Sequence, residues 1–533
     1  MYSRSCWQCL FVVVTLILAT PMAAQDHPHA RAAMDPAGSV HFATSCRPAV
    51  APDFDRAVTL LHSFEFRESI RTFKVVLAAD STCAMAQWGI ALSRWTNPMT
   101  SGQRTATVLE PGRQAAMQAT RLGATATDRE RDYIAAVNQL YADYEHRNQR
   151  SRVVAYELAM KTLAAKQPAD TEAQIFHALS LVAAALPTDK TYANQLEAGK
   201  ILEALWAKQP NHPGLAHYII HSYDYPPLAA QAIAAANRYA AVAPTAAHAL
   251  HMPSHTFTRI GHWQQSVNTN LRSIEIAVRD SEIAEALHAS DYSEYAYLQM
   301  RRDRDARRVL ARLPALAAMF DPAAITGAAP GSAGVFALAA IPARYALERR
   351  QWAEAAALTT ATTAYPYADA LTYFARALGA SHTNNLPVAH ASVDSLAAIR
   401  ERLIVGGDAY WAEQADIQCL SAQAWIDLAE GRHDDAVMRM RKAATKEDAT
   451  EKSAITPGPL APARELLGDM YLQLGRPAEA LAEYQQTIIK EPNRFRTLYG
   501  AMASARAAGE RPLASKYAAQ IVKLTGSSAY TRR

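Results

Sequence analysis

The chain has 533 residues, half of them apolar with alanine dominant, enough for several ordinary domains or one long solenoid with a large buried core. Its formal net charge of +4 is spread over mixed-sign segments, with no block of like charges and no basic stripe interleaved with aromatics. That pattern excludes nucleic acid as an expected partner, and the scarcity of long β-branched runs favours helices over strands.

The first residues read MYSRSCWQCLFVVVTLILATPMAAQD. Arg4 gives a positive start, the apolar run from Cys9 to Ala19 is too short to cross a bilayer, and small residues follow at Ala23 and Ala24. This predicts a secretory leader over residues 1–24, export to the periplasm or beyond, and no membrane span in the mature chain; an uncleaved anchor is the alternative. Residues 25–45 are polar and aperiodic and read as a flexible lead-in. Cleavage would remove Cys6 and Cys9 and leave Cys46, Cys83 and Cys419. In an oxidising compartment Cys46 and Cys83, which flank the first helical hairpin, are expected to form a disulfide, worth roughly 3–4 kcal/mol in the chain-entropy model. The alternative makes Cys83 a small buried residue at a helix start. Cys419 reads as a core thiol.

That first hairpin runs FDRAVTLLHSFEFRESIRTFKVVLAADSTC, with small or aromatic residues at Ala57, Leu60, Ser69 and Phe73. His62 within it reads as a packing residue, and Trp88 and Trp95 as fillers between helices. The most informative stretch lies further on, from Pro213 to Arg259. It carries two histidine pairs, His217/His221 and His251/His255, each spaced by four residues and separated from each other by thirty-four. Four residues is about one helical turn, so each pair shares a helix face. Thirty-four is the period of a helix–turn–helix repeat, so the same two places recur in successive units. Asp224, just before Tyr225-Pro226-Pro227, is expected either to face these rings or to cap the next helix. Pro253 falls between the second pair, where it predicts a kink or a late helix start.

The stretch DPAAITGAAPGSAG, residues 321–334, lacks helical periodicity and marks a linker between an N-terminal array (46–320) and a C-terminal one (335–533). In the latter, ARELLGDMYLQLGRPAEALAEYQQTIIKEPN places Gly468, Tyr471, Ala480, Tyr484 and Pro492 at successive key positions of a repeat. This resembles the tetratricopeptide repeat family closely, and other stretches resemble it more loosely. The phrases TSCRPAV, CAMAQWGIAL, HYIIHSYDYPP, HALHMPSHTF and YAYLQ are similar to those of a group of exported bacterial tetratricopeptide-repeat proteins. The resemblance implies an all-α solenoid of helical hairpins in two arcs, with first helices lining a concave surface. It implies no particular chemistry. In the family register His217 and His251 take place five and His221 and His255 place nine; Asp291 and Tyr295 take those places in the next unit, and His248 and His288 hold place two.

Two functions follow from these residues. The first is a binding or scaffold role, in which His217, His221, Asp224, His248, His251, His255, His288, Asp291 and Tyr295 hold a peptide, a protein segment or a small polar ligand in the concave groove. Imidazole titration then predicts binding that changes between about pH 5 and 7. The second is a metalloprotein of hydrolase or oxidase type, with His217, His221, His251 and His255 as ligands to a divalent metal such as zinc. Neither pair reads HExxH, since Tyr218 follows His217 and Met252 follows His251, so no glutamate base stands in the usual metalloprotease place. Gly-rich phosphate loops and GxSxG elbows are absent as well, which leaves binding favoured over catalysis.

Overall fold

The computed structural model describes residues 38–100 and 103–531. The proposed leader lies outside the described residues, as does residues 25–37 of the lead-in. All regular structure among the described residues is helical, from Pro48 to Thr531. Consecutive helices pair as antiparallel hairpins, giving the all-α solenoid of tetratricopeptide type expected from the repeat.

The hairpins show why the repeat needs small residues at fixed places. Ser69 Oγ donates to the carbonyl of Ala57 at 2.9 Å, which requires close approach of the two helices of the first hairpin. In the C-terminal unit, a methyl at Gly468 would meet the Tyr484 ring at 2.9 Å, and one at Gly500 would meet it at 2.3 Å. Tyr484 is fully buried in that gap and donates to Asp469 at 2.6 Å. Between Ala463–Gln473 and Pro477–Lys490 the chain turns at Gly475, whose φ of +70° suits glycine. Cys46 and Cys83 form a disulfide across the first hairpin, and Cys419 is free and buried, its thiol pushed up to about 12 by burial.

Two large apolar clusters form the core, one mostly from Phe42 to Phe257 and one mostly from Ala284 to Ile521. Residues 321–330 carry no helix, and a long helix, Gly331–Glu348, begins inside the stretch read as a linker. The solenoid curls until its late units meet its middle ones. Trp263 Nε1 donates to the carbonyl of Asn493 at 2.8 Å, Phe495 N–H donates to Gln299 Oε1 at 3.0 Å, and Arg494 donates to Tyr295 Oη at 3.0 Å. The non-helical segment 450–462 lies inside this curl. It reaches Lys190 through Glu451 at 2.6 Å, Asp224 through Lys452 at 3.3 Å, and Arg344 through the carbonyl of Pro459 at 3.2 Å. The concave side is thus filled by the chain's own backbone where the sequence suggested an open groove. No helix among the described residues is long and apolar enough to cross a membrane.

Six helices build the region around the histidines: α1 (Pro213–Ser222), α2 (Ile233–Val242), α3 (Ala247–His251), α4 (Pro253–Arg259), α5 (Trp263–Arg279) and α6 (Ile283–Gln299). Pro253 opens α4, and Met252 between α3 and α4 keeps helical angles (φ −51°, ψ −38°). The pair is therefore one helix interrupted at the proline, which lacks the N–H to continue the ladder.

Candidate metal centre

His217 and His221 on α1, His248 and His251 on α3, His255 on α4 and His288 on α6 all turn inward and are at most 5 % exposed. They fall into two sets, His217/His221/His248 and His251/His255/His288. Within each set one ligand atom per residue lies within 4.8 Å of the others. Helical spacing accounts for the pairs within α1 and across α3–α4, and repeat stacking brings the pairs together.

Hydrogen-bond partners assign the tautomers. His217 Nδ1 donates to the backbone carbonyl of His62 at 2.7 Å, which can only accept. His255 Nδ1 donates to Asp224 Oδ2 at 2.9 Å. Burial opposes the charge on Asp224, but Lys452, Arg259 and His255 hold its carboxyl well below the usual range. His251 Nδ1 donates to Asn270 Oδ1 at 2.7 Å; the amide's orientation is set by its Nδ2, which donates to the Ser266 carbonyl at 2.7 Å. His248 Nδ1 faces Glu285 Oε1 at 3.3 Å, and that carboxyl is also held low, by His248 and His251 against its burial.

With those four protons committed to Nδ1, the Nε2 atoms of the neutral rings present bare lone pairs. Yet His217 Nε2 lies 3.2 Å from His248 Nε2, and His251 Nε2 lies 3.0 Å from His255 Nε2. His221 Nε2 stands 3.1 Å from His217 Nε2, and in its Nε2–H tautomer it donates there. Two lone pairs at that distance repel unless a cation lies between them. A second proton is disfavoured on His217, His221, His251 and His288, whose pKa burial pushes well below its ordinary value, and on His255, where burial lowers it. The protonation window expected at pH 5–7 therefore moves downward. A metal ion fits: donors about 2.0–2.1 Å from one tetrahedral ion stand about 3.3 Å apart. Carbonyl and carboxylate partners on the opposite ring nitrogen are the usual outer support of histidine ligands.

The other predicted residues divide between the rings and the scaffold. Asp224 is not a helix cap: it accepts from His255, from Arg259 Nε at 2.9 Å and from Lys452 at 3.3 Å, and the next α-helix begins only at Ile233. Asp291 pairs with Arg344 at 3.0 Å and Tyr295 accepts from Arg494, so neither bonds to the histidines. The ring that does reach them from α6 is Tyr292, whose hydroxyl donates to the Thr456 carbonyl at 3.1 Å and lies 3.3 Å from His255 Nδ1. His62 does more than pack: its Nε2 bonds Glu172 at 2.8 Å, its Nδ1 meets Tyr218 Oη at 3.0 Å, and His212 bonds the other oxygen of Glu172 at 2.8 Å. Glu285, Asn270, Lys452, Tyr292 and Glu172 were not singled out from the sequence, since none stands at a telling spacing from the histidines.

No family model matches this chain, and no curated protein matches it either. Among solved structures it is similar to the human IFIT1 dimer with PPP-AAAA, at 11 % identity and a TM-score of 0.40, covering 91 % of this chain and 96 % of that one. It is also similar to yeast Tom70 (10 %, 0.34, covering 88 % and 98 %) and to a chain of the APC/C hetero-tetramer Cut9–Hcn1 (9 %, 0.35, covering 90 % and 88 %). At that identity and overlap, what those proteins bind says nothing about this one.

Proposed function

We propose that this chain is a helical-repeat metalloprotein that encloses a transition-metal centre within its N-terminal array. The observation that carries this reading is the pair of facing Nε2 lone pairs, His217/His248 at 3.2 Å and His251/His255 at 3.0 Å, on rings whose Nδ1 protons are committed to acceptors. Imidazole donors suit zinc, copper, iron or nickel. His217, His221, His248, His251, His255 and His288 are the ligands, and Asp224, Glu285 and Asn270 orient them. Asp291 and Tyr295 belong instead to the scaffold that seats α6. The disulfide supports a place outside the cytoplasm, in the periplasm or beyond.

Elemental analysis of the purified full chain tests this. The reading expects bound metal in near-stoichiometric amount, lost in the double variant His221→Ala/His255→Ala while the helical circular dichroism persists. Metal-free protein after growth and dialysis in metal-supplemented medium contradicts it.

A ligand-binding role has its own support. A chamber of about 70 Å³ is bordered by segment 450–462 and walled by Phe336, Phe374 and Trp411. Trp411 Nε1, Gln418 Oε1 and Glu451 Oε2 have no hydrogen-bond partner there. That volume suits a small polar molecule rather than a peptide.

A further inference from the structure

Charge and donor count together constrain what the histidine centre holds. All six donors are imidazoles, which ligate a metal in their neutral form and bring it no charge. Among the described residues, the carboxylates bonded to them are Asp224 and Glu285, and both accept from Nδ1 on the outer side of a ring. Asp224 is already matched by Arg259 at 2.9 Å and Lys452 at 3.3 Å. Counting Asp224, Glu285, Arg259 and Lys452, the fixed charge around the rings sums to about zero. The neighbouring Asp291 is matched by Arg344 at 3.0 Å and contributes none. Glu65 and Glu282, the acids nearest Glu285, are buried together and held towards their neutral forms.

The two sets of rings are distinct but adjacent. Ring centroids are 6.0 Å apart for His248 and His251 and 6.1 Å for His221 and His255. Each set contains its own facing lone pairs, so one ion seated in one set leaves the repulsion in the other unrelieved. Both sets border a single cavity of about 10 Å³, lined by His221, His248, His255 and His288 together with Asn97, Thr100 and Ile455. That is room for about one water molecule. Two divalent ions would bring four positive charges into this confined space with room for about one small counter-ion, and an uncompensated buried charge is strongly disfavoured. Two monovalent ions bring half that charge, and imidazole donors suit copper as well as zinc.

Resting on the metal-centre reading above, we propose that the site is a two-copper centre, one Cu(I) in each histidine triad, taking Cu(I) in preference to divalent zinc. The small cavity between the triads then has room for one small species bridging the two ions.

The test titrates metal-free full-length protein, under anaerobic conditions, with Cu(I) in competition with a chromogenic Cu(I) chelator, and in parallel with Zn(II). The expected result is about two Cu(I) per chain, no more than about one Zn(II), and a fall to about one Cu(I) in either His248→Ala or His288→Ala. One Cu(I) per wild-type chain overturns the two-ion proposal and leaves the metal centre standing. Two Zn(II) bound as tightly as two Cu(I) overturns the preference for low charge. Binding of neither metal overturns both this proposal and the reading beneath it. Because the wild-type stoichiometries decide, a variant that fails to fold does not blunt the test.

Discussion

The four assigned tautomers depend on groups that touch the rings from outside, a backbone carbonyl for His217 and side chains for the other three. Asp224→Asn keeps the shape beside His255 but removes the anion that accepts its Nδ1 proton. The expected outcome is a 10- to 100-fold loss of metal affinity, roughly, with the fold retained; isothermal titration of wild type and variant measures it, and an unchanged affinity would show that Asp224 supports only Arg259 and Lys452. The histidines themselves were legible in the sequence, because spacings of four and thirty-four are periodic signals that one chain can carry. Their supports were not. Asn270 and Glu285 reach the rings from neighbouring helices, and Lys452 reaches Asp224 from more than two hundred positions away in the chain, and no local pattern encodes such meetings.

A histidine remote from the centre supplies a pH prediction. His382 stacks on Trp352 with ring centroids 3.9 Å apart and meets Trp425 at 4.3 Å, and burial lowers its pKa to about 4. Above pH 6.5 the ring is neutral both folded and unfolded, so it adds no slope. As pH falls from 6.5 towards about 4 the unfolded chain takes up the proton and the folded chain does not, and stability drops by up to about 3 kcal/mol. His382→Phe should flatten that part of the curve in urea melts at pH 4 to 7. An unaltered slope would mean that His382 titrates normally.

Among the helices and turns, the repeat signature told which residues must be small and left the register of one helix wrong. Gly468 and Gly500 both face Tyr484, but an added methyl would meet the ring at 2.9 Å in the first case and 2.3 Å in the second. Alanine gains about 1 kcal/mol in helix propensity over glycine, and overpacking costs about 1–3 kcal/mol. Gly500→Ala should therefore be net destabilising and Gly468→Ala nearly neutral, a ranking that thermal melts resolve and that equal melting points would refute. For α6 the repeat register pointed to His288, Asp291 and Tyr295; His288 does face the centre, but its neighbour there is Tyr292, and the inward positions stand three residues before Asp291 and Tyr295. The two choices differ by three residues, about 60° short of a full turn. An insertion before that unit hides such a rotation from sequence spacing. Pro253 announced an interrupted helix, and α3 and α4 meet there.

Across the whole molecule, closure distinguishes this solenoid from an open array. The groove expected from the repeat holds residues 450–462, whose Lys452 and Thr456 bond Asp224 and Tyr292 from the inside. That segment carries no periodicity, which is why its place was not legible beforehand, and it explains why histidines expected at a surface are buried. At the amino-terminal end, the Cys46–Cys83 disulfide closes a loop with a sequence separation of 37. In the chain-entropy model its removal by Cys46→Ala/Cys83→Ala should lower unfolding free energy by about 4 kcal/mol, measured by denaturant titration; a loss under about 1 kcal/mol would show that the hairpin holds without it.

Buried imidazoles with outward-bound Nδ1 protons and inward-facing Nε2 atoms make a claim about coordination that metal-edge X-ray absorption on the metal-loaded full chain reads directly. The account predicts a first shell dominated by nitrogen at about 2.0 Å, with the multiple-scattering pattern of about three imidazoles per ion. A shell of oxygen or sulfur without imidazole scattering would contradict it.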